Sequence, residues 1–470
     1  MGSNQSAVAA SQKHDRQTLL KKKSSVFLRG CETNDEHKLR KKLMIDILHD
    51  LKGEEGLNAC GLEYRLVKFT EDGKLLEDSG KEAETAPILQ PISTTSSNTC
   101  NRRDRDYEEE KKVENASSNN CRRNVATKSN EEEKNHACKY ITMARLFDRK
   151  SNVMITSTNR KEFIADGAMY DVVCRHAMEY SQEVMIRDGK LEWVTIAEGI
   201  VAENYQPSIE SPIKALVSTR LVEDESRLDK EPTLLIVTGK GRVRAGVFSR
   251  QHLLTSGLEC SSAVEFVREA VKRKLNVIVL DPNARGDRFA METFDQSMAV
   301  VFGRWEKQEK PEVSTLMESP PTMRQRPRNL YVLSHSQSGA QFERHLLNKA
   351  ECYLPHIGAI TFTDSTHNIQ WTKRNNDEAL KILLESEKSI YFRRSENTTD
   401  FILKPFSSIG EVIDTDEFWK HRFGKIKTLC AGTSEHSLTN WFARLHIWEH
   451  FDHHREAYKM ASKEGGFTTQ

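Results

Sequence analysis

The chain has 470 residues, 37% hydrophobic and 30% charged; the length has room for about three domains, of which fewer are expected because α/β folds often run longer, and the composition implies a sizeable solvated fraction. Its 70 Lys and Arg against 69 Asp and Glu give a formal net charge of +1, so no global field draws it to nucleic acid or to a membrane. Nine scattered cysteines with no Cys-x-x-Cys pair exclude a zinc or redox motif and fit a reducing, intracellular setting; no apolar run is long enough to span a bilayer, and the amino terminus lacks the apolar core of a secretory signal.

Residues 1–33 are polar, basic and without period, and read as a tail. Within them Met1-Gly2-Ser3-Asn4-Gln5-Ser6 fits the pattern for myristoylation at Gly2, and Lys21 to Lys23 would add the electrostatic second signal that anchoring needs. A plain disordered tail is the competing reading, and contact with a membrane is expected only with the lipid. Lys21 to Lys23 and Arg40-Lys41-Lys42 could instead aid nuclear import; neither tract has the interleaved aromatics of a nucleic-acid platform, so direct sequence-specific binding of nucleic acid is not expected.

In residues 34–80, Leu39, Leu43, Ile47 and Leu51 recur every four between Asn34 and Lys52, which predicts an amphipathic helix stopped by Gly53. Strands around Tyr64 to Phe69 and Leu75 to Leu76, joined by Asp72-Gly73, predict a hairpin. Residues 81–137 carry NRRDRDYEEEKK and NEEEKNH with almost no aliphatics, and read as an inserted disordered loop. In residues 138–230 a helical period runs from Met169 through Val172, Val173, His176 and Tyr180 to Val184, with His176 as a packed core residue, and LEWVTI follows as a strand from Leu191 to Ile196.

From 231 to 455 the texture changes to continuous apolar runs: TLLIVT at Thr233, LNVIVL at Leu275, NLYVLS at Asn329, IGAITFT at Ile357 and IKTLCA at Ile426. Such runs alternating with helical patterns predict an α/β domain with a mostly parallel sheet covered on both faces. Ser262 to Glu265 reads as a capping box for the helix before LNVIVL. Glu309 to Arg328 and Lys373 to Phe423 read as insertions at the ends of the sheet, and 456–470 as a flexible tail.

Strand NLYVL runs into Ser334-His335-Ser336-Gln337-Ser338-Gly339 and then a helix, the setting of a nucleophile elbow. Serines stand where the usual G-x-S-x-G has glycines, and Ser338 is a competing nucleophile. Taken alone such a match recurs by chance. Asp364 ends strand IGAITFT and His436 follows strand IKTLCA, so Ser336, Asp364 and His436 appear in the chain order of α/β-hydrolases, each just past a strand's carboxyl end. His436 would take the proton of Ser336, and Asp364 would orient the imidazole. For each residue alone there is a plainer reading: Asp364 capping a turn with Ser365 and His367, His436 as a surface polar residue. The N–H of Gln337 and the loop Gly239-Lys240-Gly241 could supply an oxyanion hole, with Lys240, Arg242 and Arg244 adding positive charge at its mouth; the two glycines equally suit a tight strand-to-helix turn. No cofactor and no metal site is indicated.

TGKGRVRAG at Thr238, NVIVLDPN at Asn276, VLSHSQSG at Val332, FTDSTHN at Phe362 and AGTSEHSLTNW at Ala431 together resemble the Argonaute-binding Arb domain family. That family includes the second Argonaute-binding protein of fission yeast, the carboxy-terminal part of fungal histone deacetylases and animal cotranscriptional regulators. The hairpin GLEYRLVKFTEDGKLL and the helix near Tyr170 resemble the amino-terminal region of the animal proteins. The chain departs from the family pattern at Ser338, usually glycine, and at Thr238, often histidine. The resemblance implies an α/β-hydrolase-like fold and a nuclear or cytoplasmic protein that associates with Argonaute or chromatin-associated proteins in RNA silencing, heterochromatin formation or cotranscriptional regulation. The alternative is a serine hydrolase that cleaves a small ester, amide or acyl substrate.

Overall fold

The computed structural model describes residues 45–46, 48, 50–70, 75–76, 140–198, 211–307, 329–347, 349–394, 409–413 and 417–464. Gly2 and the expected tail 1–33, Leu39, Leu43 and Ile47 of the expected first helix, the insertion 81–137 and the segment 309–328 lie outside the described residues.

Eight strands form one sheet: β4 (Leu191–Ala197), β5 (Ile213–Ser218), β6 (Thr233–Val237), β7 (Asn276–Leu280), β8 (Leu330–His335), β9 (Ile357–Thr363), β10 (Ser389–Arg393) and β11 (Lys427–Cys430). Their order is β11-β10-β9-β8-β6-β7-β5-β4. From β6 to β11 neighbours pair in parallel, whereas β5 runs antiparallel to both β4 and β7. The continuous apolar runs have the cause expected of them, since every residue of β6, β7, β8 and β9 is buried. Alternate side chains feed opposite cores: Leu234 and Ile236 enter one cluster, Leu235 and Val237 the other.

Helices close both faces. On the first lie α2 (Ala168–Gly189), α3 (Val264–Lys272) and α7 (Thr439–Glu464), contributing Val173, Val267 and Ile447; on the second lie α4 (Ala290–Lys307), α5 (Gln337–Leu346) and α6 (Glu378–Glu385), contributing Phe294, Phe342 and Leu380. A mostly parallel sheet covered in this way, with a strand-turn-helix elbow after β8, is an α/β-hydrolase-like fold. It is wider than the sequence indicated. The sheet begins at Leu191, ahead of Glu231, and β10 lies in it between β9 and β11, inside the stretch 373–423 read as an insertion. SIYFR is short and ends in arginine, so its burial comes from its neighbours and leaves little trace in its own pattern. α7 likewise continues to Glu464, past the expected start of the tail at 456.

The capping box at Ser262 does not form. The N-cap of α3 is Ala263, one residue later and without a side-chain hydrogen bond; the Ser262 hydroxyl donates to the Leu258 carbonyl (2.7 Å) and accepts, at 3.4 Å, from the N–H of Val264 instead of Glu265. Nor does Gly53 only stop a helix: at φ +46° it opens a further one, α1 (Gly53–Ala59). A Cβ on its Gly56 would stand 2.2 Å from the ring of His176, which is fully buried on α2. Leu48 and Leu51 bury against Val172. In the small second unit, Lys68–Thr142, Lys68 and Phe69 of β1 (Leu62–Thr70) pair antiparallel with Leu76 and Leu75 of β2 (Leu75–Leu76); β3 spans Tyr140–Asp148.

Candidate active site

β8 delivers Ser336 with φ 59° and ψ −128°, a backbone conformation that L-residues rarely adopt and that costs on the order of 1–3 kcal/mol. Its surroundings hold it there. The Ser336 N–H donates to the Thr363 carbonyl (3.0 Å), and its own carbonyl accepts from Thr366 (3.1 Å) and Gly339 (3.3 Å). The turn leaves no room for side chains on two sides: a Cβ at Gly339 would lie 1.8 Å from Ser365 Oγ, and one at Gly239 would lie 2.7 Å from Ser336 Cβ. Ser336 is half-buried, and its Oγ makes no hydrogen bond among the described residues. Catalytic contacts often tighten only around a substrate.

Ser338 is fully buried. Its hydroxyl shares its proton between the carbonyls of Val237 (2.9 Å) and His335 (2.8 Å) and accepts from Ser334 (2.9 Å). The side chain in place of the usual glycine therefore fastens β6 to the elbow.

Asp364 directly follows β9 at φ 39°, its N–H donating to the Phe392 carbonyl (2.7 Å). One of its carboxylate oxygens accepts from Nδ1 of His436 and lies 3.3 Å from Nε of Arg394. With Nδ1 engaged, Nε2 is the nitrogen of His436 left for proton transfer. His436 stands in the loop after β11, and Glu435 beside it reaches to 3.7 Å from Nε2 of His252. The ring of His335 lies 4.7 Å from that of His436. His335 Nδ1 bonds to Thr363 Oγ1 (3.2 Å), which donates to Asn440 Oδ1 (2.7 Å); the threonine proton is thus committed, and Nδ1 of His335 must be the donor. Burial, followed by the charge of His436, pushes the His335 pKa down to about 3, so this ring is neutral.

The glycine loop after β6, the third strand of the sheet in chain order, divides its tasks. Gly239 packs on Ser336 and its carbonyl accepts from Asn283 (2.8 Å). The Gly241 N–H donates to Asp287 (3.1 Å), so of the two glycines only Gly239 approaches the serine. Gln337 begins α5 directly after Ser336, where a helix's first N–H has no intrahelical acceptor. Arg242 pairs with Asp171 (3.2 Å) and Arg244 with the buried Asp281 (2.8 Å); of the three expected cations, Lys240 alone is in no ion pair among the described residues. His335, Asn283, His252 and Arg394 were not anticipated as neighbours of the site. Asn283, inside NVIVLDPN, and His335, inside VLSHSQSG, sat in motifs that could have flagged them.

No known family profile matches the chain. Among curated proteins it is similar to "Cotranscriptional regulator ARB2A" of Mus musculus, 20% identical over 52% of this chain and 63% of that protein. It is similar also to its homologue in Xenopus tropicalis, 22% identical over 65% and 73%, and to the Homo sapiens protein, 20% identical over 63% and 73%. The match thus spans less than two thirds of the mouse protein's length. Among solved structures, the esterase LipW of Mycobacterium marinum aligns over 62% of this chain and 90% of that one at 9% identity and TM-score 0.30, and a bacterial heroin esterase over 61% and 92% at 11% and 0.28. Likeness at that level decides nothing about activity. The chain is thus a distant relative of vertebrate proteins named as cotranscriptional regulators.

Proposed function

We propose that the chain is a transcription-linked regulatory protein that acts with Argonaute or chromatin-associated partners, built on an α/β-hydrolase-like fold. The observation that carries this reading is the similarity to cotranscriptional regulators over more than half of the chain. The protein then works in the nucleus or between nucleus and cytoplasm; a myristoyl group on Gly2 would tether it to membranes instead, and Gly2→Ala would release it. The test is affinity purification of the tagged full chain from its own cells. Argonaute or chromatin-associated proteins co-purify with wild type and with Ser336→Ala alike, and their absence from both contradicts the reading.

A second reading, a serine hydrolase acting on acyl compounds, is favoured by the bond from His436 Nδ1 to Asp364 beside the strained Ser336. In it Ser336 Oγ attacks the acyl carbon as its proton passes to His436 Nε2. The bond to the leaving alcohol breaks, and the alcohol departs with that proton. Water then adds to the acyl-serine through the same base, releasing the acid and restoring Ser336. Asp364 holds the ring and stabilises its charged form, and the N–H of Gln337, with one from Gly239 or Lys240, receives the oxyanion. Ester and water give acid and alcohol, and no cofactor enters. Fluorophosphonate reactivity tests this reading.

A further inference from the structure

A pocket of about 100 Å³ lies beside the elbow, lined in part by Lys240, Asp287, Arg288, Gln337, Gln341 and Arg344, with Ser336 itself outside the lining. Two of these fix its place: Lys240 follows Gly239, which packs on Ser336, and Gln337 follows Ser336 itself. Lys240, Arg288 and Arg344 are exposed, and among the described residues none of them is in an ion pair. The guanidinium of Arg344 lies over the ring of Trp371 at 4.3 Å and that of Arg288 beside Phe289 at 5.7 Å, contacts that orient the charges without neutralising them. Asp287 is the one carboxylate in the lining, and it accepts from the Gly241 N–H. Three cations thus face one anion around a single space.

An independent observation points the same way. Gln341 is 3% exposed, yet its Oε1 is buried with no hydrogen-bond partner. Buried amides are normally satisfied, so this one, on the pocket wall, is available to a partner that enters the pocket once the side chain turns. The carboxamide can turn either its oxygen or its NH2 toward that partner.

We propose that this pocket receives the charged end of an anionic acyl compound, a short ester or amide bearing a free carboxylate at its far end, with its acyl carbon toward Ser336. Lys240, Arg288 and Arg344 balance the carboxylate and Gln341 orients it. The inference rests on the reading of this cleft as an acyl site, but it does not require turnover. A neutral acyl chain of the same length would leave the three cations without a counter-charge and the Gln341 amide without a partner.

The test is calorimetric binding of monomethyl succinate and of methyl butyrate to the Ser336→Ala protein, which cannot form an acyl-enzyme. The expected result is at least tenfold tighter binding of the anionic ester. That preference should fall about tenfold in the background of Arg288→Ala with Arg344→Ala and weaken with added salt. Circular dichroism and thermal melting of that variant establish that it is folded. Equal binding of the two esters, no binding of either, or a preference that survives loss of both arginines would overturn the proposal. Hydrolysis by wild-type protein is measured separately: anion preference without turnover removes the hydrolase reading and leaves the pocket, whereas turnover indifferent to charge does the reverse.

Discussion

Gly239 and Asp364 carry the sharpest expectations at the scale of single residues. A methyl group added at Gly239 would meet Ser336 Cβ at 2.7 Å and Oγ at 3.1 Å, distances at which either the loop or the serine must move. Gly239→Ala is expected to slow reaction of Ser336 with an acylating probe by at least tenfold while costing about 1–3 kcal/mol of stability. Probe kinetics and urea unfolding of the same preparation separate the two effects, and an unchanged rate would show that the loop does not press on the serine. Asp364→Asn keeps the shape of the side chain but removes the charge that holds His436 through Nδ1. The expected loss of reactivity is about 10³–10⁴-fold with little change in melting temperature. Arg394, 3.3 Å from the same carboxylate, is not required for that bond, so Arg394→Ala should reduce reactivity far less.

At the scale of elements, the elbow, the β9 loop and α5 lock together through contacts that short patterns do not show. A Cβ at Gly339 would meet Ser365 Oγ at 1.8 Å and the Phe362 ring at 3.0 Å, so Gly339→Ala should destabilise the fold by about 1–3 kcal/mol, since the Ser365 hydroxyl would have to leave its bonds to His367. Equilibrium unfolding in urea measures it, and a loss under about 0.5 kcal/mol would mean that the elbow is looser than described. The strands most legible in the sequence were those buried on both faces, because short continuous apolar runs such as TLLIV and NVIVL, rich in β-branched residues, suit a strand covered on both sides and little else. β10 was not legible: Ser389 and Arg393 at its ends look polar, and only pairing with β9 and β11 makes their burial intelligible. The capping box at Ser262 failed for the opposite reason. Its local pattern was sound, but the helix starts one residue later, at the N-cap Ala263, so the Ser262 oxygen meets the Val264 N–H and not that of Glu265. The order of Ser336, Asp364 and His436 could be read along the chain, whereas the pairing of Arg242 with Asp171 and of Arg244 with Asp281 depends on which elements the fold brings together.

For the whole molecule, acid and base act on stability through a few buried groups. Burial lifts the Glu343 carboxyl to about 7 from 4.5, with the Asn368 N–H pulling the other way. Because the folded value lies above the unfolded one, its contribution is full below about pH 4.5 and is lost as the pH rises to about 7, a swing of about 3 kcal/mol. His335 and His367 act in the other direction. Burial holds both near 3, so their contribution is full above about pH 6.5 and lost as the pH falls toward 3. Glu343→Gln, which fixes the neutral form and can still accept from Asn368, should therefore be more stable than wild type at pH 8 and equal to it only near pH 4. Urea unfolding across that range checks it, and a difference independent of pH would contradict the assignment. The central claim, that Ser336, Asp364 and His436 form one reactive site on this fold, is tested most directly by fluorophosphonate labelling of folded wild-type protein beside Ser336→Ala, His436→Ala and Ser338→Ala. The account predicts that wild type and Ser338→Ala are labelled and that Ser336→Ala and His436→Ala are not; an unlabelled wild type, or labelling that persists without Ser336, would contradict it.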